Sequence, residues 1–167
     1  MESDRRFMGT TLAESGTLGS LKAWTLPICA AANFYLLAVM VLFATVVYPQ
    51  FGSVERSAFP AAYHGFTSRI GGPVVVMEFV AFLVTFALYV ARPDAVPAWA
   101  VHSLVALGVA YFAITFAWHL PSHRVLAAND NSPSALAPLL QSQWARTLVQ
   151  LVRAGLLLWL GARASAA

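Results

Sequence analysis

The chain has 167 residues, of which 59% are hydrophobic and only 10% are charged, and its formal net charge is +3. Soluble domains contain about 25% charged residues, so this composition is typical of an integral membrane protein and argues against a partner such as nucleic acid. Cys29 is the only cysteine, which excludes an intrachain disulfide and cysteine-based metal motifs.

Residues 1–25 are polar and rich in Gly, Ser and Thr, and we expect them to form a disordered tail. Four apolar stretches follow, each near the roughly 20 residues that a helix needs to cross a bilayer. The predicted spans are residues 26–48, 71–91, 97–119 and 144–162. The sequence therefore predicts an all-α fold, in which residues 26–163 form a single integral membrane domain, a four-helix up-down bundle.

The connections at the two ends of the predicted bundle differ in length. The connection at the end that carries the termini, residues 92–96, is short, whereas residues 49–70 and 120–143 form long connections at the opposite end, the distal face. In the first long connection an apolar residue recurs every three or four positions, at Phe59, Tyr63, Phe66 and Ile70. This spacing is typical of an amphipathic helix, so we expect short interfacial helices in the loops of the distal face.

Basic residues are divided almost evenly between the two faces. The face with the termini carries Arg5, Arg6, Lys22, Arg92 and Arg163, and the distal face carries Arg56, Arg69, Arg124 and Arg146. Because basic residues favour the cytoplasmic side, the small excess predicts cytoplasmic termini. The preference for Arg over Lys is typical of GC-rich bacterial genomes, so the expected location is the bacterial inner membrane.

Two ionisable residues within the predicted spans are the strongest functional signal in the sequence. Glu78 lies about seven residues into the second span and Arg153 about nine residues into the fourth. Charges at such depth are costly, so they usually face a partner, a cavity or a substrate path. The sequence predicts that Glu78 and Arg153 lie at similar depth and form a pair, either in a catalytic site or as a structural ion pair.

Other polar side chains recur on helix faces near these charges. The two stripes are Tyr111, Thr115 and His119 in the third span, and Arg146, Gln150 and Arg153 in the fourth. We expect Tyr111 to act with Glu78 and Arg153 as a catalytic residue. The candidate substrate-binding residues are Arg146, Gln150, Thr115 and Trp118. Alternatively, Arg146 and Trp118 are anchors at the membrane interface, and Tyr111 and Thr115 form hydrogen bonds between helices.

Three histidines lie near the distal face of the predicted bundle. His119 and His123 are four residues apart, a spacing that puts two imidazoles on one helix face, although Pro121 between them tends to break such a helix. With His64 from the first long loop and Glu78 beneath, they form a candidate metal site. Imidazole and carboxylate ligands suit iron, copper or zinc, and iron or copper is the expected cofactor.

Two segments look like signature regions: YHGFTSRIGGPVVVMEF at residues 63–79 and WHLPSHRVL at residues 118–126. In size, in its four spans and in its long first external loop, the chain resembles the small four-helix bacterial membrane proteins grouped with anthrone oxygenases. The resemblance covers residues 25–163 in architecture and transfers no catalytic residue. It implies a membrane-bound oxidoreductase that acts on a hydrophobic or aromatic substrate.

These features together predict an integral membrane oxidoreductase, metal-dependent and oxygenase-like, with its site near one membrane face. The alternative is a non-catalytic accessory subunit or a small-molecule-binding membrane protein. The expected partners are the lipid bilayer, a hydrophobic small molecule, and either a second copy of the chain or another membrane subunit.

Overall fold

The computed structural model describes residues 2–128 and 131–166, excluding the side chains of residues 2–18 and 20, and the described residues form helices and no strands. The α-helices are α1 (Glu2–Leu42), α2 (Tyr48–Phe51), α3 (Phe59–Phe66), α4 (Gly72–Ala87), α5 (Ala98–Ile114), α6 (Leu120–Ala127) and α7 (Pro133–Ser165). Three π-helical segments each join two of these helices: π1 (Phe43–Val47) joins α1 to α2, π2 (Thr67–Gly71) joins α3 to α4, and π3 (Thr115–His119) joins α5 to α6. The predicted all-α fold is confirmed.

Four continuous helical stretches are long and apolar enough to cross a membrane, as the sequence predicts. We call them spans 1 to 4: Leu21–Phe51, Phe59–Ala87, Ala98–Ala127 and Pro133–Ser165. Their bounds differ from the predicted ones mainly at the two long connections, whose helical parts continue the spans. The remaining connections are residues 52–58, 88–97 and 128–132.

The first helix also begins earlier than expected. The backbone of α1 is helical from Glu2, whereas the sequence predicts a disordered tail over residues 1–25. Extending an existing helix adds one hydrogen bond for each residue that is ordered, while starting a new helix is costly. A polar segment that adjoins a long apolar helix can therefore continue it.

Polarity is distributed in the opposite way to that of a water-soluble bundle. Large apolar side chains lie on the outside, with Val90 79% and Leu83 62% exposed, while Asn33, Gln150 and Arg153 are at most 1% exposed. Exposed apolar surface on this scale is unfavourable in water and is consistent with lipid contact. The bundle thus has an apolar exterior around a partly polar interior.

The three π-helical segments have a common cause in the sequence. Each ends two residues before a proline, namely Pro49, Pro73 and Pro121. Proline donates no backbone hydrogen bond and its ring clashes with the carbonyl four residues earlier, which here belongs to the central residue of each π segment. A wider π turn relieves that clash, so spans 1 to 3 stay continuous. Pro27 and Pro138 lie in α-helical stretches, so a proline alone does not require a π turn.

The two ends of the bundle have different cores. Aliphatic side chains such as Leu26, Leu88 and Leu104 fill the end from which span 1 starts. The other end holds a cluster of aromatic side chains: Phe43, Tyr48, Phe51, Phe59 and Tyr63. The apolar stripe that the sequence predicts for a separate interfacial helix therefore lies largely inside the protein, continuous with span 2.

Span 2 and span 3 approach closely at Gly108. A Cβ atom at this position would lie 2.7 and 2.9 Å from two ring carbons of Phe82. We expect Gly108→Ala to lower the stability by about 1–3 kcal/mol through overpacking, which should exceed the gain in helix propensity. Thermal unfolding of the purified protein measures the change.

Gly155→Ala is the matched control, because a Cβ atom there meets nothing within 4 Å. Replacing a helical glycine by alanine stabilises by about 0.5–1 kcal/mol, so this variant should unfold at the same or a higher temperature. Equal unfolding temperatures for the two variants would contradict the close approach of Phe82 and Gly108.

Candidate functional site

A repeated sequence sets the register of span 4 against span 1. Span 4 contains Gln-x-x-Arg twice, seven residues apart. Nε2 of Gln143 donates to the carbonyl oxygen of Met40 at 3.0 Å, and Nε2 of Gln150 donates to that of Asn33 at 2.8 Å. The two acceptors are also seven residues apart but in the opposite order, so α1 and α7 run antiparallel.

The two arginines of the repeat connect span 4 to span 2. Each donates through Nη1 to the glutamine three residues before it, Arg146 at 3.3 Å and Arg153 at 3.0 Å. Nη2 of Arg146 forms an ion pair with Oε1 of Glu78, and Nη2 of Arg153 donates to Oγ1 of Thr85 at 2.9 Å. Glu78 and Thr85 are seven residues apart in the same order as the arginines, so α4 and α7 run parallel at a constant register.

The predicted pair of Glu78 and Arg153 is therefore wrong, and the partner of Glu78 is Arg146. The predicted starts of spans 2 and 4, residues 71 and 144, lie 12 and 11 residues inside the observed ones at Phe59 and Pro133. These two errors nearly cancel: Glu78 lies 19 residues after Phe59, and Arg153 and Arg146 lie 20 and 13 residues after Pro133. Equal counts from the span starts therefore do not give the register, which the contacts between α4 and α7 show directly.

Tyr111 holds the guanidinium of Arg146 from a second direction. Its hydroxyl oxygen accepts a hydrogen bond from Nη2 of Arg146, and its ring lies beneath the guanidinium, with 4.6 Å from Cζ to the ring centroid. The hydroxyl donates to Sδ of Met40 at 3.4 Å. Tyr111 thus orients Arg146, and the Nε atom of Arg146 has no hydrogen-bond partner among the described residues.

A cavity of about 250 Å³ lies beside the Glu78–Arg146 pair. Five residues of the predicted site line it: Glu78, Thr115, His119, His123 and Arg146. The rest of its wall is largely apolar and includes Val75 and Leu120. These two side chains are 46% and 38% exposed, so the cavity reaches the outer surface between spans 2 and 3.

Two histidines and one tyrosine meet in the wall of this cavity. Nε2 of His119 lies 3.2 Å from Nε2 of His123, and the hydroxyl oxygen of Tyr48 lies 3.4 and 3.2 Å from these two atoms. Span 3 is continuous through Pro121 because π3 precedes it, so the proline does not separate the histidines. We call these three residues the Tyr–His–His cluster.

The second ring nitrogen of each histidine also has a partner. Nδ1 of His119 lies 2.9 Å from Oγ of Ser142, and Nδ1 of His123 lies 2.8 Å from the hydroxyl oxygen of Tyr63. Hydrogen bonds at Nδ1 fix the orientation of an imidazole ring. Both rings are therefore held so that their Nε2 atoms point toward Tyr48.

The remaining predicted site residues lie away from the cavity. His64 is exposed on α3, and Trp118 is 41% exposed. Gln150 and Arg153, the second copy of the Gln-x-x-Arg repeat, are buried seven residues further along span 4, beside Asn33 and Thr85. The predicted metal set of His64, His119, His123 and Glu78 is not assembled, since no three His, Cys, Asp or Glu side chains of the described residues lie close enough to hold a metal ion.

Sequence reasoning missed four residues that shape the site: Tyr48, Tyr63, Ser142 and Gln143. The repeated Gln-x-x-Arg sequence was a detectable signal for Gln143. Tyr48 and Tyr63 had no signal of this kind, because an aromatic residue at the end of an apolar stretch is most often an interfacial anchor.

Comparison with known proteins adds no relative: no protein-family model matches the chain, and no curated protein or solved structure does. The resemblance to anthrone oxygenases stays a prediction from the sequence.

The register of span 4 can be tested by double-mutant cycles. Glu78→Gln and Arg146→Met should each destabilise the protein by about 3–5 kcal/mol, since each leaves a buried charge unpaired. The double variant should recover much of that loss. Reversible unfolding in detergent or bicelles measures the coupling.

The matched cycle pairs Glu78→Gln with Arg153→Met, whose side chains have no contact with each other in the structure. Independent sites add to within about 0.5 kcal/mol, so this cycle should show little coupling. Stronger coupling with Arg153 than with Arg146 would contradict the observed register.

Proposed function

We propose that the chain is an integral membrane oxidoreductase that oxidises a small hydrophobic, oxygen-bearing molecule in the cavity beside Glu78 and Arg146. One observation carries the proposal: a cavity that opens toward the apolar exterior ends at a buried ion pair and two histidines. Ionisable groups buried within a membrane segment usually mark functional sites. The oxidant in this proposal is dioxygen, as in an oxygenase-like reaction.

The size and lining of the cavity favour a small aromatic molecule over a whole lipid. Its volume of about 250 Å³ is slightly below the range of about 300–1,000 Å³ for typical ligand pockets. The aromatic rings of Phe43 and Phe66 line it together with Val74 and Val75. A flat, apolar ligand would pack against these side chains, and its access from the bilayer would lie between spans 2 and 3.

Arg146 is the group that would hold the polar end of the substrate. Its Nη1 and Nη2 atoms donate to Gln143, Glu78 and Tyr111. A guanidinium has five N–H groups, so it retains donors, Nε–H among them, for a phenolic or enolate oxygen. Since the guanidinium is held from three sides, it loses little further freedom when it binds such an oxygen.

Glu78 would contribute in two ways. Its carboxylate offsets the charge of Arg146, which lowers the cost of keeping a cation at this depth. It also lines the cavity, where it can accept a proton from a substrate hydroxyl held by Arg146. Iron or copper held at His119 and His123 would supply the electron transfer that side chains alone do not provide.

The proposal includes the up-down arrangement of the four spans, with both termini on the cytoplasmic side of a bacterial inner membrane. Arg146 is 2% exposed and paired with Glu78, so it no longer counts among the basic residues of the distal face. The face with the termini then carries five basic residues and the distal face three. This larger difference supports cytoplasmic termini.

Ligand binding and turnover can be tested with 1-naphthol as a probe, using metal-supplemented protein in lipid nanodiscs. We expect saturable binding and oxygen consumption that depends on the protein. Val75→Trp should abolish both, because Val75 lines the cavity. Val76→Trp is the matched control, since the neighbouring Val76 is 59% exposed and does not line the cavity.

The two arginines provide a second matched pair. Arg146→Lys should weaken binding of the probe by about ten-fold or more, because lysine lacks the planar fork of donors. Arg153→Lys alters an equally buried arginine that does not line the cavity and should leave binding unchanged. Binding that depends equally on both arginines would contradict the site, and binding without oxygen consumption would favour a non-catalytic binding protein.

The orientation can be tested by labelling single cysteines in intact cells. In a Cys29→Ala background, Ser57→Cys probes the connection 52–58 and Asp94→Cys probes the connection 88–97. With cytoplasmic termini, a membrane-impermeant maleimide should label position 57 at once and position 94 only after the cells are permeabilised. The reverse pattern would place the termini outside.

A further inference from the structure

We infer that Tyr48, His119 and His123 form a three-ligand site for an iron or copper ion, with its open side toward the cavity. The role of this metal in oxidation rests on the proposed function, whereas the binding of the metal does not. Tyr48 thus takes the place that the sequence predicts for His64 and Glu78.

The distances within the Tyr–His–His cluster fit the corners of a metal site. Ligand atoms at about 2.0–2.1 Å from a tetrahedral metal lie about 3.3 Å from one another. The three atoms Tyr48 Oη, His119 Nε2 and His123 Nε2 are separated by 3.4, 3.2 and 3.2 Å. The 3.4 Å separation between Tyr48 and His119 is longer than the about 2.7–3.2 Å of hydrogen bonds between nitrogen and oxygen atoms, and the 3.2 Å separation between Tyr48 and His123 is at the upper end of that range.

The hydrogen bonds around His119 leave a lone pair on its Nε2 atom. The hydroxyl of Ser142 donates to the carbonyl oxygen of Leu139 at 2.8 Å. Its oxygen is then the acceptor for Nδ1 of His119, 2.9 Å away. A neutral imidazole carries a hydrogen on only one of its two ring nitrogens. With that hydrogen on Nδ1, Nε2 of His119 faces the cluster as an acceptor.

The surroundings of His123 admit the same tautomer. The single hydrogen of the Tyr63 hydroxyl can go to the backbone carbonyl of His123 at 3.0 Å or to its Nδ1 atom at 2.8 Å. When it goes to the carbonyl, Nδ1 of His123 donates to the Tyr63 oxygen, and Nε2 of His123 carries a lone pair. The lone pairs of the two Nε2 atoms then face each other at 3.2 Å, an arrangement that a metal cation would stabilise.

Charge and ligand type indicate the class of metal. Imidazole ligands suit copper, iron and zinc, and a metal-bound phenolate from Tyr48 would offset part of the charge of the ion in a poorly solvated site. Glu78 is engaged by Arg146 and is not needed as a ligand. The cavity adjoins all three ligands, so the metal would retain an open coordination position, as catalytic sites do.

The test is titration of metal-free protein with Cu(II) and, separately and without oxygen, with Fe(II), in the absence of any organic probe. We expect one ion per chain for at least one metal, with the affinity lowered at least ten-fold by His119→Gln and by His123→Gln. A phenolate ligand gives Cu(II) a charge-transfer band in visible light, which Tyr48→Phe should remove while circular dichroism stays unchanged.

His64→Gln and His102→Gln are the matched controls, since both histidines are exposed and lie outside the cluster. They should leave affinity and spectrum unchanged. Failure of both metals to bind stoichiometrically would overturn the inference and leave the cluster as a hydrogen-bonded chain only. A Cu(II) spectrum that Tyr48→Phe does not alter would overturn the assignment of Tyr48.

The inference and the proposed function can fail separately. Val75→Trp should block 1-naphthol but leave the metal affinity unchanged, because Val75 is not part of the cluster. Metal binding without oxidation of any probe would support the metal site and contradict the oxidoreductase. Oxidation that persists in His119→Gln and His123→Gln would overturn the site as the catalytic metal centre.

Discussion

The ion pair between Glu78 and Arg146 is the interaction on which the rest of the structure depends. Both side chains are at most 5% exposed, and a buried charge without a partner is far more costly than the pair. The observed pair sets the register of span 4 against span 2, with Arg146 rather than Arg153 beside Glu78. The glutamines at 143 and 150 extend the same register to span 1, so one electrostatic constraint positions three of the four spans.

The two copies of the Gln-x-x-Arg repeat have different surroundings. In the first copy Arg146 has a carboxylate partner and lines the cavity. In the second copy Arg153 donates to Gln150 and Thr85, and the structure gives it no carboxylate partner among the described residues. The same local geometry therefore forms part of a candidate ligand site in the first copy and of a hydrogen-bonded network between helices in the second.

Proline residues connect the shape of the helices to the cavity. Five residues that line the cavity belong to the π-helical segments: Phe43, Thr67, Gly71, Thr115 and His119. A π turn is wider than an α turn, and π turns occur frequently at functional sites. Here the adaptation that keeps spans 1 to 3 continuous also shapes the space between them, and it keeps His119 and His123 on one continuous helix.

The sequence by itself determined the helical class, the number of spans and most of the polar lining of the cavity, because apolar length and buried charge are local properties of the chain. It indicated Glu78, His119 and His123 without their partners. The tertiary structure decided that Arg146 rather than Arg153 pairs with Glu78, and that Tyr48 rather than His64 joins the histidines. Both choices depend on the register between helices that are distant in sequence. That register is set by side-chain contacts across the bundle, which a periodic pattern within one helix does not contain.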